Sequence, residues 1–284
     1  MSSTIANPFN ARVLDARAPV ADGGIAYSIG TLVNDAEQYA DMRASLAAGG
    51  FAADDCEYFV IDNTGAGQTS AYRGLNAVLA AARGRHVILC HQDVRLIKDD
   101  RERLDARLAE LDAIDPDWAA AGNAGGVAPG TLALRISDPH GRDRRVGTLP
   151  ARVGALDENF IVIRRAANIG FSSDLDGFHF YGPDICVAAA VLGRSSYVID
   201  FHLEHLSAGK KNATFAAAQA DFRAKWSRAF APRWLQTTCA LVHLSGDPLG
   251  NLAGRIAEGP YAKISRRLPR ARGWTRPSHV SSET

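Results

Sequence analysis

The chain has 284 residues, a formal net charge of +1, 46% hydrophobic and 22% charged residues. That length can bury a large core without disulfide or metal staples, and the near-zero charge leads us to expect no nucleic-acid partner. Four widely separated cysteines, Cys56, Cys90, Cys186 and Cys239, exclude a zinc knuckle or a disulfide framework and fit a reducing compartment, and no stretch approaches the roughly 18 apolar residues of a membrane span.

In chain order, residues 1–24 are expected as an N-terminal extension, and the run from Ile25 to Ile29 as the first strand. The segment from Asn34 to Gly50 predicts a helix, capped by Asn34 or Asp35, with Tyr39, Met42 and Leu46 as its apolar stripe and Gly49-Gly50 as its stop. "CEYFVIDN" predicts a second buried strand ending at Asp62-Asn63. A flexible turn and a helix follow, with Leu75, Val78, Leu79 and Ala82 on one face and Gly84 at the end. "HVILC" predicts the third strand, which ends abruptly in His91-Gln92-Asp93, and a helix is expected from Asp99 to Leu111. "DWAAAGNAGG" predicts a strand running into a Gly-rich loop. This alternation implies an α/β fold with a mainly parallel sheet and helices on both faces.

Beyond residue 130 the pattern changes. Alternation around Asp138-Pro139-His140-Gly141 predicts an inserted hairpin, and "ENFIVIRR" a further strand. "DGFHFYGPDICVAAAVLGR" predicts a loop feeding a helix, and "SSYVIDFHLEHLSAGK" one strand ending in a His-rich loop. The stretch from Asn212 to Phe230 predicts a helix with Phe215, Ala218, Phe222 and Trp226 on one side. We expect one domain over 25–245 and a basic tail over 246–284, where Lys263, Arg266, Arg267, Arg270, Arg272 and Arg276 occur with no acid among them. Such a tail is either a solvated extension or a contact to an anionic membrane surface, with Trp274 as an anchor.

Ligands of an open parallel sheet bind beyond the carboxyl ends of its strands. The polar groups there are Thr31, Asp62-Asn63, His91-Gln92-Asp93 and the loop from Asn123. Neither a dinucleotide fingerprint nor a P-loop is present. Asp93 either joins Asp62 in a cleft, as paired acids do for a cation or sugar hydroxyls, or merely caps the next helix.

Three segments carry a resemblance. "SIGTLVNDAEQYADMRASL", "YFVIDNTGAGQTSAYRGLNAVLAAARGRHVILCHQDV" and "DENFIVIRR…DLDGFHFYGPDICVAAAVLGRSSYVIDFHLEHLSAGK" together resemble GT-A glycosyltransferases of the family 2 type, over roughly residues 25 to 211. The resemblance implies a GT-A-like three-layer α/β/α fold. It implies transfer of a sugar, with inversion, from a nucleotide-diphosphate-sugar donor to a glycan, lipid-linked or protein acceptor. The setting it implies is bacterial surface polysaccharide or glycoconjugate synthesis in the cytoplasm, at or near the inner face of the membrane.

It further implies donor contacts from Thr31, Asp62, Asn63, Asn76, His91, Gln92 and Lys210, a divalent metal (Mn²⁺ or Mg²⁺) on Asp93 and His205, and Asp184 as the general base. Here the D-x-D motif reads His91-Gln92-Asp93, and Pro183 replaces the acid that usually precedes the base. Bland alternatives stand beside each role: Asn76 bonding backbone, Asp184 capping its helix, His202 and His205 structural, and Trp118 and the "FHFYG" aromatics in the core rather than against a sugar. The rival reading is a non-catalytic GT-A-like module that binds a nucleotide, a glycan or a partner protein.

Overall fold

The computed structural model describes residues 24–52, 54–209 and 212–265. By compactness the chain divides into two units, Met1–Phe222 and Arg223–Thr284.

In the first unit β1 (Tyr27–Val33) leads to α1 (Ala36–Leu46), whose N-terminal amides, those of Glu37 and Gln38, donate to the Asp35 carboxylate. Next come β2 (Cys56–Asp62), α2 (Ala71–Ala81, capped by Ser70), β3 (His86–Cys90), the short β4 (Val94–Arg95) and α3 (Arg101–Ile114, capped by Asp100). The chain continues through β5 (Trp118–Gly122), β6 (Ala124–Ala128), β7 (Thr131–Asp138), β8 (Gly141–Val146), β9 (Ala151–Val153), β10 (Ala155–Leu156) and β11 (Phe160–Arg164). It ends with α4 (Tyr181–Val191), β12 (Ser195–Val198), β13 (Leu203–His205) and the part of α5 (Ala213–Phe230) up to Phe222.

The main sheet has the order β2-β1-β3-β11-β5-β12-β9. β2, β1, β3, β5 and β12 run one way, while β11 and β9 run against them. Alternation along the strands feeds two cores. Val87 and Leu89 of β3, with Ile161 and Ile163 of β11, pack under α2 and α4. Ile88 and Cys90, with Phe160 and Val162, pack under α1 and α3. The result is the expected α/β/α sandwich, and the hairpin at residues 138–141 is β7–β8.

Four expectations are corrected. β2, expected as a buried strand, is the edge strand of the main sheet, its residues half-buried or exposed because only one neighbour covers it. The Gly-rich stretch after β5 is strand β6, because Ala124, Gly125 and Gly126 pair with β7. The single strand expected from Ser195 onward is two: β12 stays in the main sheet, and β13 joins β7 and β4 in a second sheet. Asp62 is not a neighbour of the β3 tip, since β1 lies between β2 and β3.

In the second unit β14 (Arg233–Gln236) and β15 (Leu241–Leu244) form a hairpin, and α6 (Pro248–Ser265) packs on it. Trp234 stacks on Tyr261 with ring centroids 4.5 Å apart. The boundary expected at 245/246 falls inside this unit, and residues 248–265 are helix rather than tail.

Candidate active site

Strand β3 is buried along its whole length and stops at Cys90. Its tip is met from two sides. Because β11 is antiparallel to β3, the start of β11 lies beside the end of β3, Phe160 pairs with Cys90, and the His91 amide donates to the Asn159 carbonyl at 3.0 Å. Because β13 is antiparallel to β4, His205 pairs with Val94, and the Leu206 amide donates to the Asp93 carbonyl at 3.0 Å. Segments some 70 and 110 residues downstream are thereby delivered to one point.

At that point His91 Nδ1 lies 3.3 Å from His205 Nε2. His205 Nε2 lies 3.4 Å from Asp93 Oδ1 and 3.2 Å from Ser207 Oγ. His91 Nδ1 is 3.9 Å from the same carboxylate oxygen. One ligand atom from each of His91, Asp93 and His205 lies within 4.8 Å of the others, a compact two-nitrogen, one-oxygen donor set. Burial opposes ionisation of Asp93, but the hydrogen bond and charge of His205, with Ser207 and His91, outweigh it and hold the carboxyl well below its ordinary range. Burial holds the His91 pKa down, and the His205 charge adds to this.

The tautomer of His91 follows from its neighbours. The Tyr181 hydroxyl donates to the Glu158 carbonyl at 3.1 Å, so its oxygen accepts from His91 Nε2–H at 2.7 Å. The lone pair of His91 then sits on Nδ1, facing the cluster. Phe180, at φ +67°, holds the chain in a left-handed kink just before Tyr181. Its ring packs against Phe215 and Phe222.

The cluster borders an open cavity of about 260 Å³. Leu32, Ala71 and Leu75 form apolar wall, and Asn34, Asn63, Gln68, Gln92 and Glu158 are polar lining. A second cleft of about 390 Å³ shares Gln38, Asp93 and Ser207 with it and is lined by Asp35, Glu37 and Asp41. Gln92 accepts from the amides of Asn34 and Asp35 at 2.9 and 3.0 Å, which ties the turn after β1 to the tip of β3.

Of the residues expected at a donor site, Asn63, His91 and Gln92 line this cavity, and Asp93 and His205 meet beside it. The others lie elsewhere. Thr31 is 1% exposed, turned into the sheet with its hydroxyl 3.6 Å from Cys90 Sγ. Asp62 is exposed and accepts from the amide and hydroxyl of Thr64 at 2.9 and 2.6 Å, an Asx turn that shapes the loop after β2. Asn76 clips the backbone of Phe171 through both its amide groups, at 2.9 Å each.

Asp184, expected as the base, is 0% exposed and accepts from the amide and hydroxyl of Ser172 at 2.8 and 2.6 Å. A carboxylate enclosed in that way fastens the Ser172 loop to the α4 N-terminus, and it is not among the residues lining the cavity. His202 is likewise buried, bonded to Ser137 at 3.0 Å. Trp118 is core, its indole donating to Asp112 at 2.8 Å. Asn123 is buried, and Lys210 lies outside the described residues.

Two residues of the site escape a reading of strand tips, Glu158 and Tyr181. Glu158 lines the cavity and accepts from the Gly182 amide at 3.3 Å. Burial pushes its carboxyl up to about 8, with Asp157 adding to the effect and the Gly182 amide opposing it. Gly182 is required by this approach, because a Cβ there would lie 2.3 Å from the Leu156 carbonyl oxygen and 3.1 Å from Glu158 Cγ. The pattern "DENF" just before an apolar strand is the available sign of Glu158, and it becomes informative only once that strand is known to run antiparallel.

No family model matches the chain. A protein of Fuscovulum blasticum, that of the ATP synthase subunits region ORF 6, is 35% identical over 226 residues, covering 78% of this chain and 91% of that one. Among solved structures, the chain is similar to the mannosyltransferase PcManGT of Pyrobaculum calidifontis in complex with GDP-Man and Mn²⁺, at a TM-score of 0.46 and 13% identity, over 72% of this chain and 62% of that one. It is similar to S. aureus TarS 1–349 in complex with UDP-GlcNAc at a TM-score of 0.47 and 14% identity, over 66% and 60%. It is also similar to A197 from STIV at a TM-score of 0.40 and 10% identity, over 64% and 85%.

Proposed function

The chain belongs to the same family as the ORF 6 protein of the ATP synthase subunits region of Fuscovulum blasticum, and from its site we propose that it is a glycosyltransferase that moves a sugar from a nucleotide-diphosphate donor to an acceptor hydroxyl. The observation that carries the reading is the convergence of His91, Asp93 and His205 at the tip of β3, beside a cavity with an apolar wall and a polar rim. The sequence resemblance to GT-A enzymes of the family 2 type supports it, as does the retention of the last acid of D-x-D as Asp93.

The donor set fits a divalent ion. Two imidazole nitrogens and one carboxylate suit Mn²⁺ better than Mg²⁺, which prefers oxygen. The lone pair of His91 Nδ1 already faces the cluster, held there by Tyr181. An ion at this place would offset charge developing on the departing diphosphate. Leu32, Ala71 and Leu75 would flank the base of the nucleotide, and Asn63 and Gln92 would shape its polar side. Glu158 takes the role expected of Asp184. In its ionised form, which predominates only above about pH 8, it would receive the proton of the acceptor hydroxyl as that oxygen attacks the sugar carbon from the face opposite the diphosphate, an inverting course. The acceptor belongs to the glycan, lipid-linked or protein class of surface polysaccharide and glycoconjugate synthesis, an assignment that rests on the resemblance.

The test is a transfer and donor-hydrolysis assay over a panel of UDP- and GDP-sugars with Mn²⁺. Turnover is expected, with loss in Asp93→Asn, in His205→Ala and on chelation, and a large fall in kcat with little change in KM in Glu158→Gln. Nucleotide binding without turnover over the whole panel, unaltered by these variants, would establish the non-catalytic module instead.

A further inference from the structure

The second unit carries a helix whose apolar side faces outward. At 100° per residue, Leu249, Leu252, Ala253, Ile256, Pro260 and Ile264 fall within an arc of about 120° of α6. Leu249 is 78% exposed, Ile256 71%, and Leu252 and Ile264 56% each. The opposite side is the one that packs on the hairpin. There Gly254 is buried against His243, Asn251 bonds the backbone of Ser245, Glu258 accepts from the His243 amide at 3.2 Å, and Tyr261 stacks on Trp234.

This inverts the ordinary amphipathic arrangement, in which the apolar stripe is what a helix buries. Scattered exposed leucines are common on protein surfaces, but a continuous stripe left outside while the polar side packs marks a contact surface.

Charge identifies the partner. Arg255 and Lys263 lie on the exposed surface of α6, and its one acid, Glu258, is turned toward His243. The sequence after the helix carries Arg266, Arg267, Arg270, Arg272 and Arg276, and residues 259–282 contain no acid. A second copy would bring the same positive charge to the contact. The stripe is also small for a dimer: roughly 27 Å by 10 Å, from the rise and width of an 18-residue helix, is about a third of the ~800 Å² per partner that a stable interface takes. No helix among the described residues is long and apolar enough to cross a membrane.

We infer that α6 is an interfacial helix that lies on an anionic lipid surface, its Leu249–Ile264 stripe in the acyl boundary and the basic residues around and after it among the headgroups. The inference is independent of the reaction proposed for the first unit.

The test is sedimentation of the full chain with vesicles of phosphatidylcholine alone and of phosphatidylcholine with 30% phosphatidylglycerol. Binding is expected to the anionic vesicles, to weaken as salt rises, and to fall at least about tenfold in Leu252→Glu/Ile256→Glu. Both positions are exposed, so circular dichroism and the melting temperature of this variant should match the wild type. Replacing Arg266 and Arg267 by Gln is expected to cost about fivefold per residue at low salt. Absence of binding at low salt, equal binding to neutral vesicles, or undiminished binding by the Glu variant would overturn the inference. A dimer that the Glu substitutions dissociate, without vesicle binding, would overturn it in favour of a second copy.

Discussion

Replacing Glu158 by Gln tests the electrostatics of the cavity in a way that needs no substrate. Glu158 has an ordinary value of 4.5, and burial moves it to about 8 in the folded chain. Below pH 4.5 the carboxyl is protonated in both states and contributes no pH dependence. Between 4.5 and 8 the unfolded chain releases this proton and the folded chain keeps it, so stability falls as pH rises; above 8 both states are ionised and the loss is complete. At about 1.4 kcal/mol per pH unit the interval amounts to ~5 kcal/mol as an upper bound. Gln is neutral, near-isosteric and still able to accept from the Gly182 amide. Glu158→Gln should therefore match the wild type at pH 4.5 and exceed it by several kcal/mol at pH 8.5. The assay is urea unfolding of both proteins in EDTA at pH 4.5, 6, 7.5 and 8.5, followed by near-ultraviolet circular dichroism. The difference between the two at each pH cancels the titration of other groups. A difference independent of pH would refute the placement of Glu158 as a carboxyl buried in the protonated form.

Other consequences concern the surrounding shell. Tyr181→Phe removes the acceptor of His91 Nε2–H and frees the ring, so Mn²⁺ affinity by calorimetry should fall 10- to 100-fold while the fold survives. Asp184→Asn keeps the shape but weakens two hydrogen bonds from Ser172; it should lower stability by about 2 kcal/mol in denaturant titration and leave kcat of the folded protein near the wild-type value. A collapse of kcat at unchanged stability would restore Asp184 as the base. Gly182→Ala forces a methyl against the Leu156 carbonyl and Glu158, and should cost about 1–3 kcal/mol by thermal melting.

Much of the frame could be read from residue patterns. Apolar runs ending in polar residues marked β2, β3 and β5, a capping residue marked α1, an apolar stripe marked α2, and the polar end of β3 marked the place where His91, Gln92 and Asp93 now border a cavity. The pairing of Asp93 with His205 was accessible only through the family resemblance, because nothing local links positions 112 residues apart. Asn76 and Asp184 share one ambiguity. A polar side chain on a helix can face a cleft or clip a neighbouring loop, as both do here, and residue type is the same in both cases.

Strand direction was the larger gap. The continuous apolar run "FIVIR" specifies a strand covered on both faces, but that pattern is unchanged when the strand is reversed. Packing and chain connection choose the direction. Here they insert β11 antiparallel between β3 and β5, so its N-terminal end, not its C-terminal end, reaches the site. Likewise the break between Val198 and Leu203 sends β13 to a second sheet and carries His205 to Asp93. Composition and periodicity established which segments form the strands and helices of the frame; long-range pairing, invisible to any local window, settled which of their ends face one another, and with that set Glu158 rather than Asp184 in the lining of the cavity.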